Sequence, residues 1–343
     1  MKIIVEKGVG EIRAAAFDDT DLPVSLFLWR DRRLDPSVRL GDVHPAIVRS
    51  VDKGRSEVFL ELSNGDVGYL NLRNGQPVPD EGAHLNVLIR AEAHDEKAAL
   101  VRPVQQDAGL LGPEDAIRNW TIKLGDRYSD IVPEVVDISG EIDAVFEDAQ
   151  CEQVTLPGGG TLYIEQTRAL CAVDVDASGR APSAGEGLNV AALKSLAREI
   201  AIRRISGTIV VDLAGAPKGE RAEALTTLLK NELKALSVTG ANILRPSPLG
   251  LMEMTLPRSY RPVAEYAAHR NEAGKTAEML REVLRAGVSD RTAQFDVSIG
   301  QDIADVLQKS EFDWASALAN RLGNRFSVKT DKTLTTPFLI RPA

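Results

Sequence analysis

Up to about Pro103 the apolar residues of this chain come in short runs broken by turn signals; beyond it the runs lengthen and alternate between strand-like and helical spacing. That change of period excludes one continuous architecture, because side chains change face every second residue in a strand and every three to four in a helix. The first block reads Ala46-Ile47-Val48, Val58-Phe59-Leu60-Glu61-Leu62, Val67-Gly68-Tyr69-Leu70 and Leu85 to Ile89. Asn64-Gly65, between two of these runs, is a strong hairpin signal. Several short strands closing on one another predict a small antiparallel barrel of the OB type, whose exposed face commonly binds single-stranded nucleic acid through aromatics.

In the second block, Thr161 to Val175 holds two apolar runs joined at Glu165-Gln166-Thr167-Arg168, the pattern of a hairpin. Asn189 is read as an N-cap, with Val190, Leu193, Ala197, Ile200 and Ala201 following at helical spacing. Thr208 to Leu213 predicts a buried strand, Leu225 to Leu236 a helix, and Ala241 to Leu244 the start of another strand, together an α/β layer. The last block predicts helices over Ala277 to Ala286 and Trp314 to Leu322. Its strands are placed at Ala293 to Ile299, Phe326 to Val328 and Phe338 to Ile340, a small α+β domain. Joints are placed at Gln105 to Gly112 and Glu265 to Lys275.

With 343 residues, 43% hydrophobic and 27% charged, the chain has the composition of a globular protein of about two domains, not a fibrous or disordered one. The net charge of −9 repels nucleic acid at long range, so such a partner needs a local basic groove or a metal ion. Cys151 and Cys171 cannot build a disulfide framework or a four-cysteine zinc site. No secretory leader or bilayer-spanning run is seen, and the reading is a cytoplasmic protein without a membrane partner. His44, His84, His94 and His269 lack metal-ligand spacing, no Gly-x-Ser-x-Gly elbow is present, and Gly274-Lys275-Thr276 lacks the preceding glycine of a P-loop. Gly158-Gly159-Gly160 reads first as a tight turn.

Chemistry concentrates at three aspartates. Asp174 and Asp176 lie two apart in a strand-like run, hence on one face, and Asp212 ends the next apolar strand. If those strands are neighbours, the carboxylates converge and repel one another unless a divalent cation is bound. Magnesium suits such a site, and phosphodiester hydrolysis is the chemistry it supports. Acids at strand ends also simply face solvent or cap the next helix, and spacing alone leaves both readings open. Arginines and lysines cluster at Arg198, Arg203 and Arg204, at Lys218 and Arg221, and at Arg245, Arg258 and Arg261, either as a solvated face or as a phosphate track.

The run Leu156 to Ile164, continuing through Thr167, Ala169-Leu170 and Val173 to Asp176, resembles the catalytic region of the RNase E/G endoribonucleases; so do Asn189 onward, Gly207 to Asp212 and Gly250-Leu251-Met252-Glu253-Met254. The resemblance implies an RNase H-like catalytic domain over 105–264 with an N-terminal part over 1–37, an OB-fold RNA-binding domain over 38–104 and a small α+β domain over 265–343. It implies Asp174 and Asp212 as magnesium ligands, joined by Asp176 where the family has an asparagine, a change that favours manganese or a second ion. It implies RNA contacts at Phe59, Tyr69 and Lys97, and the reading adds Arg180, Lys218 and Arg221. Three departures follow. The 5′-monophosphate pocket has shrunk to about Gln105 to Asp126, the paired cysteines of the zinc link are absent, and Gly215 stands where the family has a second acid. The expectation is therefore a metal-dependent endoribonuclease cutting single-stranded RNA without 5′-end sensing, without zinc, as a monomer or zinc-independent oligomer. The alternative is an RNA-binding protein or chaperone on the same scaffold with little cleavage.

Overall fold

The computed structural model describes every residue except 53, 55, 73–75, 95–96, 181–184 and 268–270, and the side chains of 185 and 186. His269 and part of the expected joint after Glu265 lie outside the described residues. Three strands open the chain, β1 (Lys2–Lys7), β2 (Glu11–Phe17) and β3 (Pro23–Arg30). Five more follow, β4 (Val43–Asp52), β5 (Glu57–Leu62), β6 (Val67–Asn71), β7 (His84–Ala91) and β8 (Ala99–Val104). They close into a barrel in the order β4-β5-β6-β8-β7, with β6 parallel to β8 and the other neighbours antiparallel. Alternation explains the closure: Val58, Leu60 and Leu62 of β5 point inward to Val48, Val87 and Val101, while Phe59 and Glu61 point out. The barrel is OB-like in strand number and order.

The chain then forms α1 (Pro113–Lys123), β9 (Glu134–Val136) and α2 (Gly140–Asp148). β9 pairs in parallel with β1, completing a four-stranded sheet in the order β3-β2-β1-β9. The near-continuous apolar runs of β1 and β2 follow from cover on both faces. Ile4, Ala15 and Phe17 pack against Ile142 and Phe146 of α2, and Ile3, Val5 and Ala14 pack on the side of Trp120 of α1.

The central region holds β10 (Gln153–Thr155), β11 (Thr161–Gln166), β12 (Cys171–Asp176), α3 (Gly185–Arg203), β13 (Gly207–Asp212), α4 (Glu220–Ala235), β14 (Asn242–Ile243) and β15 (Leu251–Leu256). Its sheet has the order β10-β11-β12-β13-β15-β14, mixed in direction, with β12 and β13 parallel. Leu193, Leu196 and Ile200 of α3 and Leu225, Leu229 and Leu233 of α4 cover one face, against Val173, Val175, Ile209 and Val211. Residues 1–37 and 105–264, expected as one domain, thus build two hydrogen-bonded sheets.

The last block is α5 (Glu272–Ser289), β16 (Phe295–Ile299), α6 (Gln301–Lys309), α7 (Trp314–Leu322), β17 (Phe326–Thr330) and β18 (Phe338–Pro342). Its three strands run β17-β16-β18 beneath the helices. Among the described residues no helix is long and apolar enough to cross a membrane.

Candidate functional site

The face of the six-stranded sheet opposite α3 and α4 carries the acids. β12 alternates strictly: Cys171, Val173 and Val175 are buried, so Asp174 and Asp176 share the outer face. β13 does the same, burying Ile209 and Val211 and leaving Asp212 exposed at its end. In the parallel pairing Asp174 stands directly across from Asp212, on strands about 4.8 Å apart. Tyr163 of β11 flanks Asp174 on the other side and Leu251 of β15 flanks Asp212, so the row across four strands reads Tyr163, Asp174, Asp212, Leu251. A shallow hollow of about 300 Å3 over this row is also lined by Glu165 and Val210.

Asp176 is not brought to the pair. It lies one pleat further along β12, and its carboxylate accepts hydrogen bonds from the backbone N–H of Ser178 (3.0 Å) and its hydroxyl (2.5 Å). Those bonds from Ser178 hold its carboxyl below the usual range. The sequence pattern could not anticipate this, because Asp-x-Ser closes a local turn just where the strand ends. Among the described residues no group of three or more histidines, cysteines and acids is set to hold a metal; the site is a pair of carboxylates.

The loops after the acidic strands are held tightly. Asn189, expected at a helix N-cap, sits inside α3 and is buried. Its side chain accepts from the backbone N–H of Ala214 (2.9 Å) and donates to the carbonyl of Ala214 (3.1 Å), pinning the chain just beyond Asp212. Gly250, beside Leu251, adopts φ +91° and lies so close to Gly215 that a Cβ there would stand 2.8 Å from the Gly215 carbonyl oxygen. A glycine is required at that contact.

Of the basic residues expected to meet a phosphate chain, Lys218 and Arg221 are exposed in and after the loop following β13. Arg180 is turned elsewhere: its guanidinium donates to the carbonyl of Gly159 (2.9 Å) and braces the triple-glycine turn. Arg198 pairs with Asp18 (2.7 Å), Arg203 with Glu199 (2.6 Å), and Arg245 donates to the carbonyl of Gly219 (2.7 Å). These cations fasten sheets and loops together.

On the barrel, Phe59 of β5 and Tyr69 of β6 are direct cross-strand partners on the outer surface. Their rings are 5.5 Å apart and tilted by 54°. Tyr69 donates its hydroxyl to Glu57 (3.1 Å), and burial together with that contact pushes its hydroxyl pKa up. Lys97 is exposed at the turn leading into β8, the parallel neighbour of β6. Arg258, two residues past β15, reaches the carbonyl of Ala98 (3.3 Å) and so joins the barrel to the acidic sheet.

The sequence profile of the Ribonuclease E/G family matches residues 118–259. Ribonuclease G of Salmonella typhimurium is 25% identical over 63% of this chain and 46% of its own length. Ribonuclease E of Escherichia coli is 24% identical over 53% of this chain and 18% of its own. A chloroplastic ribonuclease E/G-like protein of Arabidopsis thaliana is 34% identical over 34% of this chain and 12% of its own. The chain thus spans less than half the length of these curated relatives. Among solved structures, a multidomain protein with nucleic acid binding domains from Streptococcus pneumoniae covers 34% of this chain and 45% of its own at 16% identity. Its TM-score of 0.19 is too low to bear on the fold. The matched region contains both Asp174 and Asp212, and over it the chain is similar to the Ribonuclease E/G family.

Proposed function

We propose that the chain is an endoribonuclease that hydrolyses single-stranded RNA with the help of magnesium held by Asp174 and Asp212, in RNA processing or decay and without selecting a 5′-monophosphate end. The observation that carries the proposal is the direct juxtaposition of two carboxylates across parallel strands on an open face. Like charges in that position oppose sheet formation unless something compensates them. The pair fits magnesium, which is commonly held by one or two carboxylates and keeps its remaining positions for water and phosphate. Manganese is accepted by the same donors.

When bound, the ion would lower the pKa of a water and offset charge on the phosphate. The protein's own part is to hold the two carboxylates in register through β12 and β13, with Asn189 keeping the following loop in place. Phe59 and Tyr69 would stack an unpaired base, Lys97 would meet the backbone beside them, and Lys218 with Arg221 would receive phosphates next to the acids. Asp176 would act through its grip on Ser178, shaping the rim of the site. An RNase H-like origin of the catalytic region belongs to the same reading, supported by the mixed sheet with a parallel central pair bearing one acid each.

The test is cleavage of one AU-rich single-stranded RNA carrying either a 5′-hydroxyl or a 5′-monophosphate, in magnesium, manganese or EDTA. Wild-type protein is expected to cut both equally in either metal, leaving 5′-phosphate and 3′-hydroxyl ends. Asp174→Asn and Asp212→Asn are expected to bind RNA normally and to lose at least a hundredfold in rate. In metal-free buffer each variant should also unfold later than wild type by about 0.2–1 kcal/mol, because the cross-strand repulsion is gone. Tight binding with no cutting under any metal would leave the RNA-binding protein as the correct reading.

A further inference from the structure

A second site lies away from the acids. A cavity of about 260 Å3 opens between β3, the chain entering the barrel, α1 and the segment after β15. β15 begins beside Asp212 and runs about 17 Å before the chain reaches Tyr260 on the cavity wall.

Its unsatisfied polar groups are donors. Trp29 Nε1 and Arg39 Nη1 are buried, and neither has a hydrogen-bond partner among the described residues, although Arg39 Nη2 is satisfied by the carbonyl of Arg30 (2.5 Å). Three cations, Arg39, Lys123 and Arg204, face a single acid, Glu92. That carboxylate is already engaged by the backbone N–H groups of Leu40 and Arg261 and by the Tyr266 hydroxyl. The cations are also oriented: Arg39 lies over Trp29 at 4.7 Å, and Lys123 and Arg204 lie by the Tyr260 ring at 4.4 and 4.8 Å. Lys123 donates to the Tyr260 hydroxyl (2.8 Å) and Arg204 Nη2 to the Leu26 carbonyl (2.9 Å), which leaves their remaining N–H groups for a ligand. A guanidinium stacked on a ring keeps its N–H edge available to an anion.

Arg204 gives an independent sign. It follows α3 directly and adopts φ +60°, at the position after a helix where glycine is favoured. The backbone conformation disfavours any side chain there, yet the side chain present is the one that reaches Tyr260. Phe27, Leu28, Leu40, Leu111 and Ile122, the last 69% exposed, give the wall an apolar stretch, with Asn119 as a further polar side chain beside it.

We propose that this cavity binds a nucleotide, either free or as one unstacked unit of an RNA strand. Its phosphate oxygens would meet the edges of Arg39, Lys123 and Arg204, and its base would lie on the apolar wall with an acceptor atom for Trp29 Nε1. The proposal does not depend on hydrolysis at Asp174 and Asp212.

Calorimetric titration of the whole chain with AMP, GMP, CMP and UMP, with adenosine and inorganic phosphate as controls, tests it beside binding of a short single-stranded oligoribonucleotide. At least one monophosphate or the oligonucleotide is expected to bind at least tenfold more tightly than either control. Arg204→Gly, which relieves the backbone conformation but removes the bond to the Leu26 carbonyl, is expected to stay folded and lose at least tenfold in affinity. Trp29→Phe, which removes a donor and keeps the ring, is expected to stay folded and bind several-fold more weakly. Losses confined to the monophosphates identify a free nucleotide as the ligand, and losses shared by the oligonucleotide identify RNA. Inorganic phosphate binding as tightly as any nucleotide, or affinities unchanged in both folded variants, would overturn the proposal.

Discussion

Glu11 on β2 is buried among three guanidiniums. Arg30 donates to one carboxylate oxygen at 2.6 Å, Arg281 of α5 to the other at 2.7 Å, and Arg13 stands at 3.9 Å. Burial pushes the carboxyl up, but Arg30, Arg281 and Arg13 together outweigh it and hold it at about 2, against an ordinary value of 4.5. Because the folded value lies below the unfolded one, this group stabilises the fold above pH 4.5. That contribution, about 3 kcal/mol, is lost as pH falls from 4.5 towards 2. Glu6 works against it: burial, only partly offset by Arg13, raises its carboxyl. Urea midpoints measured from pH 6 to 2.5 should therefore fall on the acid side, and Glu11→Gln should flatten that limb while losing about 3–5 kcal/mol at neutral pH. Parallel curves for the two proteins would show that Glu11 does not set the acid response. At this scale the outer face of β12 and the end of β13 were legible in the sequence, because strict alternation places Asp174 and Asp212. The roles of Asp176, Asn189 and Arg180 were not. Each makes a bond in the structure, to Ser178, Ala214 or Gly159, and a side chain that can cap a turn, start a helix or meet a ligand reads alike in a one-dimensional pattern.

Elements bounded by strong local signals were the readable ones. Asn64-Gly65 marks the β5–β6 hairpin, and the apolar runs around Glu165 to Arg168 mark β11 and β12. α7 begins at Trp314 and ends at Leu322, the range expected from the sequence, and Gly323 with φ +67° follows it. By contrast β1 and β2 give near-continuous apolar runs because both faces are covered, and α6 presents a short stripe of Ile303, Ala304, Val306 and Leu307 to the core. α3 begins at Gly185, before Asn189, which frees that side chain to tie the helix to the loop after β13. Asn189→Ala removes both side-chain bonds to the half-buried N–H and carbonyl of Ala214. The expected cost is about 1–3 kcal/mol by denaturant unfolding. On the proposed function it should also slow cleavage more than it weakens RNA binding, because the loop it pins follows Asp212 directly. A variant as stable as wild type would mean that water replaces the side chain fully.

At the scale of the molecule, pairings distant in sequence decide the plan. β1 is joined in parallel by β9, more than a hundred residues later, and β13 is followed in space by β15 before β14. No local pattern carries such pairings, so the division into a four-stranded and a six-stranded sheet could not be read from the sequence. The same assembly consumes much of the positive charge: Arg13, Arg30, Arg281 and Arg285 are spent between the four-stranded sheet, α2 and α5, and Arg198 bonds Asp18 and the Pro23 carbonyl. With a net charge of −9, the cations proposed to meet RNA reduce to exposed Lys97, Lys218 and Arg221. Each phosphate neutralised on a single strand contributes about −0.7 to the slope of log affinity against log salt, so three contacts give a slope of about −2. On the proposed function, base stacking on Phe59 and Tyr69 would supply the remainder and be insensitive to salt, at about 1–3 kcal/mol per stacked base. Phe59→Ala with Tyr69→Ala should then weaken binding at every salt concentration without changing the slope, whereas Lys218→Ala should make it shallower by about 0.7. A steep slope that the aromatic variant also reduces would mean that the phosphate chain is held along a different surface of the protein.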